Sequence, residues 1–233
     1  MKLKQSLAAF LLMLSLASPV AAGSFEDAFA AHDRGDYATA LLLFRPLADQ
    51  RNARAQFVLG TMYANGEGVQ QDYVAAMNWY RLSADQGYAG AQTNLARMYF
   101  KGEGVPQNNA EAVKWWLKAA NQGFAHAQHD LGVMYDKGDG VPQDYAEAVK
   151  WYRLAADQGD DYAQDNLGVL YAKGLGVPQD YVRAYMWFSL ATRAGGQDAI
   201  HNRDHAEQLM TPSQIAEAQK FAREWKPTMQ PSR

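Results

Sequence analysis

The chain has 233 residues, with 22 Lys and Arg against 25 Asp and Glu for a net charge of -3, and it contains no cysteine. A mildly acidic balance lacks the basic footprint that a nucleic-acid partner demands. With no cysteine, neither a disulfide framework nor a lipid on an N-terminal thiol is available, so packing alone must hold the fold.

The first element in chain order is a leader. Lys2 and Lys4 precede an apolar run from Leu7 to Leu16, followed by Pro19 and by Val20-Ala21-Ala22. That is the order of a charged region, a short apolar region and a small-x-small cleavage site, so residues 1–22 are expected to be a secretory signal. A bilayer-spanning helix needs roughly 20 apolar residues, which this run does not supply. Cleavage removes two lysines and no acid, taking the net charge from -3 to -5 over the remaining 211 residues.

Residues 23–52 come next and read as a degenerate helical hairpin. Tyr37, Ala40, Phe44 and Ala48 fall 36 residues before Tyr73, Ala76, Tyr80 and Ala84, but the linker Arg34-Gly35-Asp36 is short. From residue 53 to residue 196 the pattern is regular. The segment 131–159, LGVMYDKGDGVPQDYAEAVKWYRLAADQG, has counterparts at 59–87, 95–123 and 167–195 without insertion. A fixed period of this length is the signature of stacked repeats. In each unit a first helix, such as that with Ala127, Leu131, Gly132 and Tyr135, leads through a glycine-rich linker to a second. Ala148, Trp151, Tyr152, Ala155 and Ala156 of that second helix are spaced i, i+3, i+4, i+7 and i+8, as one buried helical face requires.

Linker chemistry fits a helical hairpin. Gly138 and Gly140 can take left-handed backbone angles, Pro142 stops the first helix, and Asp144 is placed to cap the second. Asp72, Asn108 and Asp180 occupy the same place in the other copies, and Glu111 and Glu147 are positioned to complete capping boxes. Trp79, Trp115, Trp151 and Trp187 are expected to be buried between repeats. Residues 197–210 are expected to form a fifth first helix. A closing helix follows, with Thr211 as cap, Pro212 in its first turn and Gln214 completing the box. Its apolar residues Ile215, Ala218, Phe221, Ala222 and Trp225 are expected to cover the last repeat, and residues 226–233 to be disordered.

The L-G-x-x-Y run, the G-x-G-V-P-x-D linker and the A-x-x-W-Y-x-x-A-A-x-Q-G second helix resemble the Sel-like repeat (Sel-one repeat, SLR) family, a relative of the tetratricopeptide repeat. Departures are Ala96 for the helix glycine, Gln70 for the linker proline and Asn109 for the linker tyrosine. The resemblance implies an all-α, right-handed α-solenoid of stacked hairpins. It also implies roles in envelope regulation, complex assembly or host contact. Some cysteine-rich members are described as weak beta-lactamases, and this chain has none of their cysteines.

In the tetratricopeptide relatives a concave groove is lined at fixed offsets from the helix glycine. Carried across, the offsets select Arg54, Phe57, Thr61, Ala64 and Asn65, then Gly90, Thr93, Arg97, Phe100 and Lys101. The third unit contributes His126, His129, Val133, Asp136 and Lys137, and the fourth Tyr162, Asp165, Val169, Ala172 and Lys173. Five cations and two carboxylates in that set give a basic strip, +3, on an acidic protein. Lys101, Lys137 and Lys173 also sit at helix C-termini, where a cation gains about 0.3 to 1 kcal/mol with no ligand at all.

Catalytic signatures are missing: there is no G-x-S-x-G, H-E-x-x-H, S-x-x-K or phosphate-cradling glycine loop. Ser83 and Ser189 fall on the small-residue stripe of second helices and read as core. His126 with His129, and His201 with His205, share helix faces, with Asp130, Asp204 or Glu207 nearby, yet zinc needs three or four convergent ligands. No metal and no cofactor is therefore expected. The expectation is a periplasmic or secreted protein-binding scaffold that holds another exported or envelope protein, with neither nucleic acid nor a membrane as partner. The alternatives are a cell-wall or beta-lactam binding hydrolase, a secreted host-contact factor and a structural envelope protein.

Overall fold

Two short devices in each repeat turn the chain back on itself. In the third unit the first helix stops at Gly138, whose φ of +76° lies in the left-handed region and whose N–H donates to the Met134 carbonyl at 2.9 Å. The second helix then starts under Asp144, whose side chain accepts from the N–H groups of Ala146 and Glu147 at 2.9 and 3.1 Å. The result is a helical hairpin, and the structure, a computed structural model, describes residues 24–228 as a succession of them.

Among the described residues there are twelve α-helices and no strand. A hairpin of α1 (Phe25–Asp33) and α2 (Tyr37–Asp49) precedes the repeats. The repeats are α3 (Ala53–Asn65) with α4 (Tyr73–Asp85), α5 (Ala89–Lys101) with α6 (Asn109–Asn121), α7 (Ala125–Lys137) with α8 (Tyr145–Asp157), and α9 (Asp161–Lys173) with α10 (Tyr181–Ala191). After a 3-10 turn, α11 (Gln197–Gln208) and α12 (Pro212–Glu224) follow. From α1 to α11 each helix packs on its neighbours in the chain, and α12 packs on α10, which makes the molecule an all-α solenoid. The leader assigned to residues 1–22 lies outside the described residues, as do residues 229–233 of the tail.

Stacking is enforced by close backbone approach. Gly140 has φ +75°, and a Cβ there would stand 2.5 Å from the carbonyl carbon of Asn109, at the start of the preceding repeat's second helix. Gly159 has φ +94° but nothing within 4 Å of such a Cβ. Gly159→Ala is therefore expected to cost only the left-handed penalty, about 1 to 2 kcal/mol. Gly140→Ala must in addition push two repeats apart. Thermal melts of the pair should separate the two costs, and equal losses would mean that the linker does not carry the stacking.

A second close approach lies inside the hairpin. A Cβ on Gly132 would be 2.5 Å from the ring of Tyr152, and one on Gly168 would be 2.6 Å from that of Phe188. The second repeat changes both partners together, pairing Ala96 with Trp116, and both are buried.

The capping boxes expected at Glu111 and Glu147 do not form. The backbone N–H they would bind is already spent, since Asn108 donates to the Tyr99 carbonyl at 2.8 Å and Asp144 to the Tyr135 carbonyl at 2.9 Å. The two glutamates turn instead to Lys114 and Lys150 of their own helices. Thr211, whose N–H has no such acceptor, does form its box with Gln214, at 2.9 Å.

Buried glutamines tie the units further. Gln128 is 2% exposed, donates to the Ala120 carbonyl of the preceding repeat at 3.1 Å, and accepts from Gln158 at 2.7 Å. Gln56 and Gln92 repeat both bonds, accepting from Gln86 and Gln122, and Gln164 repeats the first on Ala156. Of the four repeat tryptophans, Trp115, Trp151 and Trp187 are each 6% exposed, while Trp79 is only half-buried. Lysine stems cover two of the three, with the Lys118 ammonium 3.6 Å from the Trp115 ring and that of Lys150 5.2 Å from Trp151. Leu82 and Asn78 stand at those places beside Trp79, whose ring has the Arg45 guanidinium 5.3 Å away instead.

Candidate partner-binding face

The first helices α3, α5, α7, α9 and α11 present one side chain set per repeat, and the aromatic of each second helix reaches in between them. In the first repeat the Phe57 ring packs on Tyr80 and Tyr88, at 5.9 and 5.1 Å between centroids. Thr61 accepts from the Tyr80 hydroxyl at 3.1 Å, Asn65 donates to Glu67 at 2.8 Å, and the Arg54 guanidinium lies 4.4 Å from the Phe25 ring. Gly90 lets Tyr88 and Phe57 close on the backbone, since a Cβ would meet them at 3.1 and 3.4 Å.

In the second repeat Phe100 packs on Trp116 at 5.7 Å and the exposed Arg97 donates to Asn94 at 2.6 Å. Thr93 is buried, with its hydroxyl returned to the Ala89 carbonyl at 2.9 Å, so it offers little surface. In the third, His129 lies between Tyr152 and Tyr162, at 5.9 and 6.0 Å. One tautomer satisfies that ring, with Asn166 donating to Nε2 and Nδ1–H donating to Asp130, both at 3.3 Å. His126 meets Asp160 at 3.2 Å, Asp136 accepts from the Tyr152 hydroxyl at 3.3 Å, Val133 is half-buried and Lys137 is exposed. In the fourth, Tyr162 is 71% exposed, and Asp165 accepts from Asn202 of α11 at 3.0 and 3.3 Å. The two histidine pairs gather no third ligand. Among the described residues no group of three or more His, Asp or Glu is placed to hold a metal.

Burial shapes the titration of this face. Desolvation holds the Asp165 carboxyl above the usual carboxylate range, opposed by the Asn202 hydrogen bond. Desolvation also raises the Tyr152 and Tyr80 hydroxyls, the former further because Asp136 is beside it. For the two tyrosines the shift is away from neutrality. Ser83 is fully buried and donates to the Ala53 carbonyl at 2.7 Å, which leaves it out of reach of a substrate.

Two sets of residues escape the offset rule. The loop acids Glu67, Glu103 and Asp139 follow the first helices, and Glu103 lies 3.7 Å from Lys101, so the strip is less basic than a count over helix positions makes it. The second set is on α11. Asp204 stands where the helix glycine should be, which hides that His205 and Leu209 lie 36 residues beyond Val169 and Lys173 and share a pocket with them.

A stack of four equivalent hairpins, with one face of rings, cations and amides, defines a helical repeat protein. The Sel1 repeat family matches residues 53–88, 89–124, 125–160 and 161–196, and the chain belongs to that family. A solved Sel1 repeat protein from Oxalobacter formigenes is 31% identical over 85% of each chain, with a TM-score of 0.72. A protective antigen present in uropathogenic Escherichia coli strains, displaying an SLR fold, is also 31% identical and covers 87% of this chain, with a TM-score of 0.56. This chain spans 53% of that antigen's length. None of the curated proteins matches the chain.

Proposed function

We propose that the protein is a non-catalytic adaptor of the bacterial envelope that holds an extended segment of another exported protein along its first-helix face. The observation that carries this reading is the mixed chemistry of that face. Phe57, Phe100 and Tyr162, from different positions of α3, α5 and α9, share it with the exposed cations Arg97, Lys137 and Lys173. Such a mixture suits a segment with a few apolar side chains and carboxylates, whose charges would chiefly speed and orient the encounter. Export rests on the leader at residues 1–22, and the described residues contain no helix long and apolar enough to cross a membrane. A hydrolase reading has less support, because Ser83 is sealed in the core and its hydroxyl is engaged.

The test is charge reversal on the face. Arg97→Glu with Lys137→Glu should reduce recovery of a stoichiometric partner from envelope extract, and raised salt should reduce it for the native protein, since exposed charges are screened beyond roughly 8 to 10 Å. Lys101 is left in place because it holds Glu103. Both altered residues are exposed, so melting should move by no more than about 0.5 kcal/mol equivalent. Full recovery with the double variant would shift the binding surface to the second-helix side.

A further inference from the structure

The fourth repeat departs from the second and third at positions that meet in space. In the third repeat the Tyr152 hydroxyl donates to Asp136 at 3.3 Å and fills the space between neighbouring first helices. In the second, Phe100 and Trp116 pack together there at 5.7 Å. Thirty-six residues after Asp136 and Tyr152 stand Ala172 and Phe188, with neither carboxylate nor hydroxyl, and the space is open. It forms a pocket of about 390 Å³ whose lining includes Ala172, Lys173, Phe188, His205 and Leu209.

The loop acid changes with them. Glu67, Glu103 and Asp139 follow the first three first helices, but Leu175 follows the fourth. Lys101 has Glu103 at 3.7 Å, whereas among the described residues no carboxylate lies within ion-pair distance of Lys173. Nearby acids are engaged elsewhere, with Asp165 held by Asn202 and Asp204 by Arg203. An apolar floor and an uncommitted ammonium thus share one small cavity.

That combination restricts the occupant. Successive side chains of an extended segment point to opposite faces, so an internal acid next to an apolar residue would direct its carboxylate away from the cavity that holds the apolar side chain. A chain terminus has no such conflict, because its carboxylate is attached to the same Cα as the side chain. We infer that this pocket takes the carboxyl-terminal residue of the partner, with an apolar side chain against Phe188 and Leu209 and the terminal carboxylate on Lys173. The inference rests on the reading of the first-helix face as the partner surface, and it fixes the direction in which the segment ends.

The experiment uses acetyl-Ala-Ser-Ala-Leu as free acid and as amide, followed by backbone 1H–15N shifts of the whole protein. The free acid should shift Ala172, Phe188 and His205, and the amide should bind about tenfold more weakly, the loss expected for one charge-assisted hydrogen bond. Lys173→Gln should cause the same loss for the acid and none for the amide. Ala172→Asp with Phe188→Tyr, which rebuilds the third repeat's filling, should abolish both. Equal binding of acid and amide overturns the inference, as does the absence of shifts at millimolar peptide. Shifts confined to Phe57 and Phe100 overturn it too while leaving the first-helix face as the partner surface, which the charge-reversal pulldown tests independently.

Discussion

Trp151→Ala should lower the melting temperature by roughly 6 to 20 °C, the equivalent of about 3 to 5 kcal/mol in a protein of this size. The indole is 6% exposed and belongs to the apolar cluster built from α4 to α7, although Trp151 itself comes from α8. Its neighbour Tyr152 belongs to the following cluster, with α9 and α10. Two adjacent residues therefore serve two successive interfaces. In a linear array each interface is a nearest-neighbour term, so losing this one should divide the cooperative unit near the middle of the chain as well as destabilise it. Trp151→Phe separates volume from chemistry. The indole Nε1 is buried with no hydrogen-bond partner, and removing an unsatisfied donor recovers part of what the smaller ring loses. The phenylalanine variant should cost on the order of 1 kcal/mol, and circular dichroism melts of both variants provide the measurement. Equal losses for Ala and Phe would place the stabilisation in a polar contact of the indole instead.

The solenoid was legible because its causes are local and repeated. Alanine spacing in the second helices, left-handed glycines and Asp or Asn caps each act within a few residues, and a period of 36 multiplies every signal by four. What escaped depends on partners distant in the chain. The failed capping boxes at Glu111 and Glu147 turn on whether an N–H is already donated to a tyrosine carbonyl nine residues earlier, which composition does not reveal. Gln56, Gln92, Gln128 and Gln164 are buried because the preceding second helix offers each a carbonyl, to which the first three add an amide from Gln86, Gln122 or Gln158. Their strict spacing at a core-facing register was the available signal. Phe221, placed on the covering face of α12 by helical spacing, is 39% exposed. The small residues Ala218 and Ala222 form the close contact, and the aromatic lies at its margin.

On the candidate face the offsets located surface correctly where the first helix was regular, at Arg97, Lys137 and Tyr162, but offsets carry no information about neighbours. Thr93 folds its hydroxyl onto its own helix, and Glu103 offsets Lys101 from a loop that the count ignored. The C-terminal pocket was invisible for a further reason. It arises from what is missing at Ala172, Leu175 and Phe188, and a missing group registers only beside the second and third repeats, which show what can fill the space.

Truncation after Met210 should expose an apolar surface that the array cannot leave open. α12 lies on α10 with Ala218 and Ala222 at 0% and 6% exposure, and Trp225 meets Trp187 edge to face at 6.3 Å. Arg193 donates to the Ala222 carbonyl at 2.8 Å, and beyond the helix the Thr228 N–H donates to the Asp157 carbonyl at 2.7 Å, tying the end of the described chain to α8. Without these contacts Tyr185 and Trp187 face water, and the loss should be at least on the order of 3 kcal/mol, that of a single buried aromatic. Terminal units with a polar outer face are what keep arrays soluble, so the truncated protein should self-associate and bind a hydrophobic dye at temperatures where the full chain does not. Light scattering and dye fluorescence on the two proteins decide the matter. A truncated chain that stays monomeric with an unchanged melt would make α12 a detachable segment, and the fourth repeat would then have to be stable with α11 alone as its cover.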